Sequence, residues 1–261
     1  MSATGHSPLL VGFVGSLLAG LATAVGALPI FFRTHWSRGA QVIMLATAAG
    51  VMLGATVFSL IVPAIDMVAA SSGSQARGAL VASGGIMLGA IAIWLLHGVV
   101  PHEHFVKGVE GRPAGELRRI WLFVLAITLH NVPEGLSVGV AFGGDFAAGV
   151  TVAFGIGLQN MPEGLAVAAA LISGGFSRGR AFWVAVLTGL VEPVGGLVGA
   201  FAVSLSHILL PWGLAFAGGA MLFVISGEII PETHREGVER PATFSLVLGF
   251  IAMLLLDVTL S

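Results

Sequence analysis

The chain contains no cysteine. That removes disulfides, thiolate nucleophiles and cysteine-based zinc modules from consideration. Charge is also scarce. Asp, Glu, Lys and Arg make up 9% of the 261 residues, against roughly a quarter in soluble domains. So few charges cannot furnish a water-facing surface. The net charge of −2 offers no footing for nucleic acid. The first apolar run follows Met1–Pro8, which holds no Lys or Arg, and no obvious cleavage site comes after it. We read it as a retained span and not as a signal peptide.

Apolar residues are abundant, at 56%, and they fall in long runs. A helix needs about 20 such residues to cross the hydrocarbon core. The 38 glycines suit close helix packing in lipid. The sequence predicts an all-α fold: one polytopic membrane bundle, residues 1–261, of about eight transmembrane helices. Their approximate spans are 9–32, 42–68, 78–100, 120–142, 147–173, 181–206, 212–231 and 243–260. The connectors after the first, third, fifth and seventh spans hold Arg33, Arg38, Lys107, Arg112, Arg118, Arg119, Arg178, Arg180, Arg235 and Arg240, while the other side holds Arg77. The positive-inside rule then places both termini outside and those four connectors in the cytoplasm.

Three carboxylates fall in mid-span: Glu134, Glu163 and Glu192. Each costs on the order of 2.5–3.5 kcal/mol to insert, so it is expected to face a partner or a wet cavity. No Lys or Arg shares that depth, which leaves protonation or an outside cation, and a bound metal is the economical answer. His130 and Glu134 stand four residues apart on one helix face, and Gln159 and Glu163 repeat that spacing. Asn131 and Asn160 each lie three residues before their Glu. The segments HNVPEGLSV, from 130, and QNMPEGLAV, from 159, agree at six of nine positions. Pro133 and Pro162 cannot donate to the carbonyls of Leu129 and Leu158. Freed carbonyls are tolerable at membrane depth where they face a cavity.

HNVPEG and QNMPEG on successive spans, with Glu192-Pro193 on the next, resemble the ZIP (Zrt-, Irt-like protein) family of metal transporters, and its bacterial members most. The resemblance implies a divalent metal transporter in a bacterial plasma (inner) membrane, with zinc first and Fe, Mn, Cd or Co also possible cargo. It implies a two-metal site. Met52, His130, Glu134, Gln159 and Glu163 would hold one ion, and Asn131, Glu134, Asn160, Glu163 and Glu192 the other. Many relatives carry an acid or a His where this chain has Gln159 or Asn160, so the second position is expected to be the weaker. A homodimer and an elevator-like movement are further implications of the family. The metal is substrate; no other cofactor is expected, and the partners are the ion and the lipid bilayer.

Imidazole and carboxylate without thiolate suit such borderline ions. Asp66 is a candidate for the entrance. His97, His102, His104, Glu228 and His234, with Glu103 and Glu232 beside them, are candidates for an inner relay. Asp257 is expected at the interface or paired with a neighbour, and His6, His35 and His207 at the interface. Two other functions remain open. An intramembrane metallo-hydrolase would be expected to carry H-E-x-x-H on one helix, and here Asn131 follows His130. A proton-coupled solute carrier for anions would need an intramembrane Lys or Arg. The sequence therefore predicts a transporter and not an enzyme.

Overall fold

A computed structural model describes residues 7–33, 37–99, 103–104, 108–109, 116–206, 208–234 and 237–260. Apart from a two-residue antiparallel ladder, the regular structure there is helical. Helix α1 spans Pro8–Ala27 and runs into a 3-10 turn at Leu28–Phe31. Helix α2, Arg38–Gly54, starts at Ser37, whose hydroxyl accepts from Ala40 N at 3.3 Å. It continues through a π-helical stretch, Ala55–Ile61, into α3, Val62–Ser72. Gly73, at φ 68°, ends α3 in the left-handed conformation that glycine adopts without strain. Helix α4 spans Gln75–Val99, and the strands β1 (Glu103–His104) and β2 (Gly108–Val109) follow.

Helices α5, Glu116–Gly144, and α6, Phe146–Ser173, are joined by Asp145 alone. Its carboxylate caps α6 by accepting from Ala148 N at 3.0 Å, which fixes a tight antiparallel pair. Next come α7, Arg178–Gly189, and α8, Glu192–Leu205; then α9, Leu209–Val224, with a π-helical stretch at Ile225–Ile229; then α10, Ile230–Thr233, and α11, Glu239–Leu260.

Each predicted span corresponds to helix, with one difference in kind. The sixth is not continuous: it breaks at Leu190 and Val191, so Glu192 opens α8 and does not sit inside a helix. Pro193 explains the break, because it has no N–H to give the Gly189 carbonyl. Pro63 and Pro231 act more gently. Each follows a π-helical stretch, where the wider turn absorbs the proline ring without ending the helix.

Among the described residues, six helical segments are long and apolar enough to cross a membrane by length and composition: Pro8–Phe31, Gly39–Ser72, Gln75–Leu96, Arg178–Leu205, Leu209–Ile229 and Glu239–Thr259. Helices α5 and α6 are not among them, and they are the two that carry the HNVPEG and QNMPEG segments. The outside is apolar: Leu80 and Phe244 are each 72% exposed and Trp183 63%. Glu134, Glu163 and Glu192 are buried. That inversion suits a molecule whose solvent is lipid.

Helix α1 lies against α6 and α8, and α5 against α8 and α6. A second set pairs α2 with α11 and α4 with α9. Glycines set the approach of α5 to α8. A Cβ on Gly135 would lie 2.1 Å from the Glu192 carbonyl oxygen, and one on Gly139 would lie 2.0 Å from that of Gly196. Only a hydrogen fits at either point, so the two backbones touch and Glu134 is brought to the start of α8.

Candidate metal centre

The site side chains reach the interior from three elements. His130, Asn131 and Glu134 come from α5, Gln159, Asn160 and Glu163 from α6, and Glu192 from the first turn of α8; all are buried. The amide nitrogens tie these elements together. Gln159 Nε2 donates to Glu134 Oε1 at 2.6 Å, joining α6 to α5. Asn160 Nδ2 donates to Glu192 Oε1 at 2.6 Å and to the Ala19 carbonyl at 2.8 Å, joining α6 to α8 and α1. Asn131 Nδ2 donates to the Thr188 carbonyl at 2.7 Å, which satisfies the end of α7 just before the break. Glu192 sits at the N-terminus of α8, where the helix dipole favours a negative charge.

With the nitrogens so engaged, what remains is almost wholly acceptor. Glu134 Oε2, Glu192 Oε2, both oxygens of Glu163, Asn131 Oδ1, Gln159 Oε1 and Asn160 Oδ1 are buried without a hydrogen-bond partner among the described residues, and so is His130 Nδ1. An unmade hydrogen bond at a buried polar atom costs about 1–3 kcal/mol, and more for a charge. So many on one site is far beyond what stability alone tolerates. Seven oxygens with lone pairs and no donor are the complement of a cation. No Lys or Arg occurs between Arg119 and Arg178 to supply one. Among the described residues no three His, Asp or Glu side chains enclose a point by themselves. A full coordination shell therefore draws on the amide oxygens as well, or on rotation of Glu134 and Glu192 away from their amide partners.

Met52 is buried, at the end of α2 just before the π-helical stretch. Glu228 lies in the second π-helical stretch, and its Oε2 meets His130 Nε2 at 2.6 Å. The sequence places Glu228 toward the inner end of its span, and the structure brings it into contact with a predicted ligand. Asp66 lies exposed on α3, one turn past Pro63. His234 is engaged on both ring nitrogens: Nδ1 lies 3.0 Å from Thr233 Oγ1 and 3.0 Å from the Ile230 carbonyl, and Nε2 lies 3.0 Å from Thr243 Oγ1. His97 belongs to α4 and His104 to β1, but their side chains, like those of Glu103 and Glu232, lie outside the described residues. So do His102, His6, His35 and His207 altogether. Asp257 has a neighbour: Ser59 Oγ donates to its Oδ1 at 2.5 Å, linking α11 to the first π-helical stretch.

Three contacts escape a reading of motifs. The carbonyls of Ala19 and Thr188 hold Asn160 and Asn131 in place, and backbone acceptors leave no mark in sequence. The contact between His130 and Glu228 crosses 98 residues of chain. A His in one span and a Glu in another was its available signal. Because both partners are buried, we expect a double-mutant cycle of His130→Gln and Glu228→Gln to give a coupling of about 1.5–3 kcal/mol. Thermal unfolding in detergent with a chelator present measures it, and additive effects would show that the pair does not interact.

A bundle with an apolar exterior and a buried array of acidic, imidazole and amide groups belongs to the class of membrane proteins that bind a cation within their helices. The comparisons narrow this. The family model described as ZIP Zinc transporter matches residues 103–257. The chain is 50% identical over 250 residues to the zinc transporter GufA of Myxococcus xanthus, covering 95% of this chain and 98% of that one. It is 44% identical over 260 residues to the zinc transporter ZIPB of Bordetella bronchiseptica, covering 98% and 84%. Against the human zinc transporter ZIP11 it is 33% identical, covering 98% and 99%. This chain belongs to the ZIP zinc transporter family.

Proposed function

We propose that this protein carries divalent transition-metal ions, zinc foremost, across a bacterial plasma membrane into the cytoplasm. The observation that carries the reading is the set of buried acceptor oxygens on Glu134, Glu163, Glu192 and the three amides, which have no hydrogen-bond partner among the described residues. Relatives named zinc transporters over nearly the full chain support zinc as the cargo.

In this reading the chain crosses the bilayer eight times with both termini outside, as the Lys and Arg distribution favours. Asp66 draws cations to the outer mouth. Glu134 and Glu163 hold the ion from two helices. Met52, His130 and Gln159 complete a softer position on one side, and Asn131, Asn160 and Glu192 an all-oxygen position on the other. Release runs past Glu228, which touches His130, and on toward the inner residues His97, His102, His104 and His234. Two copies form the working unit. A site used for transport must bind and let go, and neutral amides in place of carboxylates keep the ion from being held too tightly.

Purified protein in proteoliposomes tests this with radiolabelled zinc. We expect saturable accumulation above protein-free liposomes, competed by cadmium more strongly than by magnesium, because the site offers imidazole and thioether groups. Uptake no greater than in protein-free liposomes would contradict the reading.

A further inference from the structure

Helix α1 has no part in the predicted site, yet the turn from Ala19 to Thr23 lies against it. The Ala19 carbonyl accepts from Asn160 Nδ2 at 2.8 Å, and that nitrogen also meets Glu192 Oε1 at 2.6 Å. A Cβ on Gly20 would lie 3.4 Å from the same Glu192 oxygen. Thr23 is next on this face. A Cβ on Gly164, the neighbour of Glu163, would lie 3.0 Å from Thr23 Cγ2. A Cβ on Gly189, where α7 stops short of Glu192, would lie 2.6 Å from Thr23 Oγ1. The methyl of Thr23 thus faces α6 and its hydroxyl faces the break between α7 and α8.

Thr23 is 1% exposed, and its Oγ1 is buried without a hydrogen-bond partner among the described residues. A helical Thr hydroxyl ordinarily donates to the carbonyl four residues back. Thr56 does so to Met52 at 2.8 Å, Thr128 to Val124 at 2.8 Å and Thr151 to Ala147 at 3.1 Å. For Thr23 that carbonyl belongs to Ala19, and Asn160 bonds to it instead. The hydroxyl is left with its lone pairs and its proton uncommitted, facing the turn that leads from Gly189 into Glu192; the outer oxygens of Glu192 and Asn160 are equally unpartnered among the described residues.

We propose that Thr23 Oγ1 is an oxygen of the cation site, contributed by α1 on the Asn160–Glu192 side, where it meets the bound ion directly or through one water. This rests on the reading of Glu134, Glu163 and Glu192 as a cation site. It extends that site from the motif-bearing helices to the first helix of the chain. An alcohol oxygen adds a neutral, hard donor to a position already made of carboxylate and amide oxygens. It therefore strengthens the hold on the ion without adding negative charge to a crowded acidic centre.

Full-length protein in lipid nanodiscs, titrated with zinc, gives the test for three variants. Thr23→Val keeps the shape and removes the oxygen; it is expected to weaken zinc binding about tenfold, the scale of one polar contact to a charge. Thr23→Ser restores the oxygen and is expected within about threefold of the native affinity. The unfolding temperature of Thr23→Val in chelator is expected to match the native value, which a purely structural role would not allow. Native affinity in Thr23→Val overturns the proposal. So does a Thr23→Ser variant as weak as Thr23→Val, or a loss of affinity accompanied by a lower unfolding temperature in chelator. Glu163→Gln separates this proposal from the reading beneath it. If that variant loses zinc while Thr23→Val does not, Thr23 alone is misassigned; if it binds as the native protein does, the site itself is.

Discussion

Glu163→Gln is expected to reduce zinc uptake by about a hundredfold or more while making the metal-free protein more stable. Both effects have one cause. Neither oxygen of Glu163 has a hydrogen-bond partner among the described residues, and the side chain is 2% exposed. A buried carboxylate in that position carries an uncompensated desolvation penalty in the metal-free state. Glutamine has the same shape and no charge, so the substitution relieves the penalty by about 1–2 kcal/mol, within the range seen when function is traded for stability. With metal the sign reverses. The ion loses a charged ligand in a medium of low dielectric constant, and removing one partner of a buried charge pair costs about 3–5 kcal/mol, or roughly two to four orders of magnitude in affinity. Thermal unfolding in chelator and radiolabelled uptake check the two arms. A variant that is less stable than the native protein in chelator, or that still takes up zinc, would show that Glu163 is a structural group and not a ligand.

Gly135→Ala is expected to damage both the packing of α5 on α8 and the site beside it. The new Cβ would lie 2.1 Å from the Glu192 carbonyl oxygen and 2.7 Å from the Glu192 Cα, all of it backbone. No side chain can rotate away, so α5 and α8 must part. Overpacking of this kind costs about 1–3 kcal/mol and occasionally more. Here it also carries Glu192 away from Asn160, and with it one wall of the site. Both a lower unfolding temperature and weaker zinc binding are expected. Gly179→Ala is the matched control, because a Cβ there meets nothing within 4 Å. Equal behaviour of the two variants would contradict the close approach of α5 to α8.

The sequence is informative where a physical penalty would otherwise go unexplained. Carboxylates in apolar runs, spaced one helical turn from His or Gln, mark α5 and α6 directly. The tight pairing of those helices is legible from the short Gly143-Gly144-Asp145 connection, and Asp145 serves as the cap. The same polar residues interrupt the apolar runs of α5 and α6, which the sequence nonetheless reads as spans. Other features were hidden because they depend on backbone. Glu192 reads as mid-span, but Pro193 breaks the helix and makes it a helix start. Asn131 and Asn160 are read from the sequence as candidate ligands, but nothing there shows that carbonyls on α7 and α1 hold their nitrogens. Thr23 is invisible in the sequence because a lone Thr in a span ordinarily bonds its own helix. Only the capture of the Ala19 carbonyl by Asn160 sets it apart.

The most direct measurement is anomalous scattering at the zinc edge from crystals of the full chain soaked in zinc. The account predicts a peak between Glu134 and Glu163, with oxygens of Gln159 or Asn160 nearby. A crystal whose zinc lies only on surface groups, with those carboxylates turned from each other and unoccupied, would contradict it.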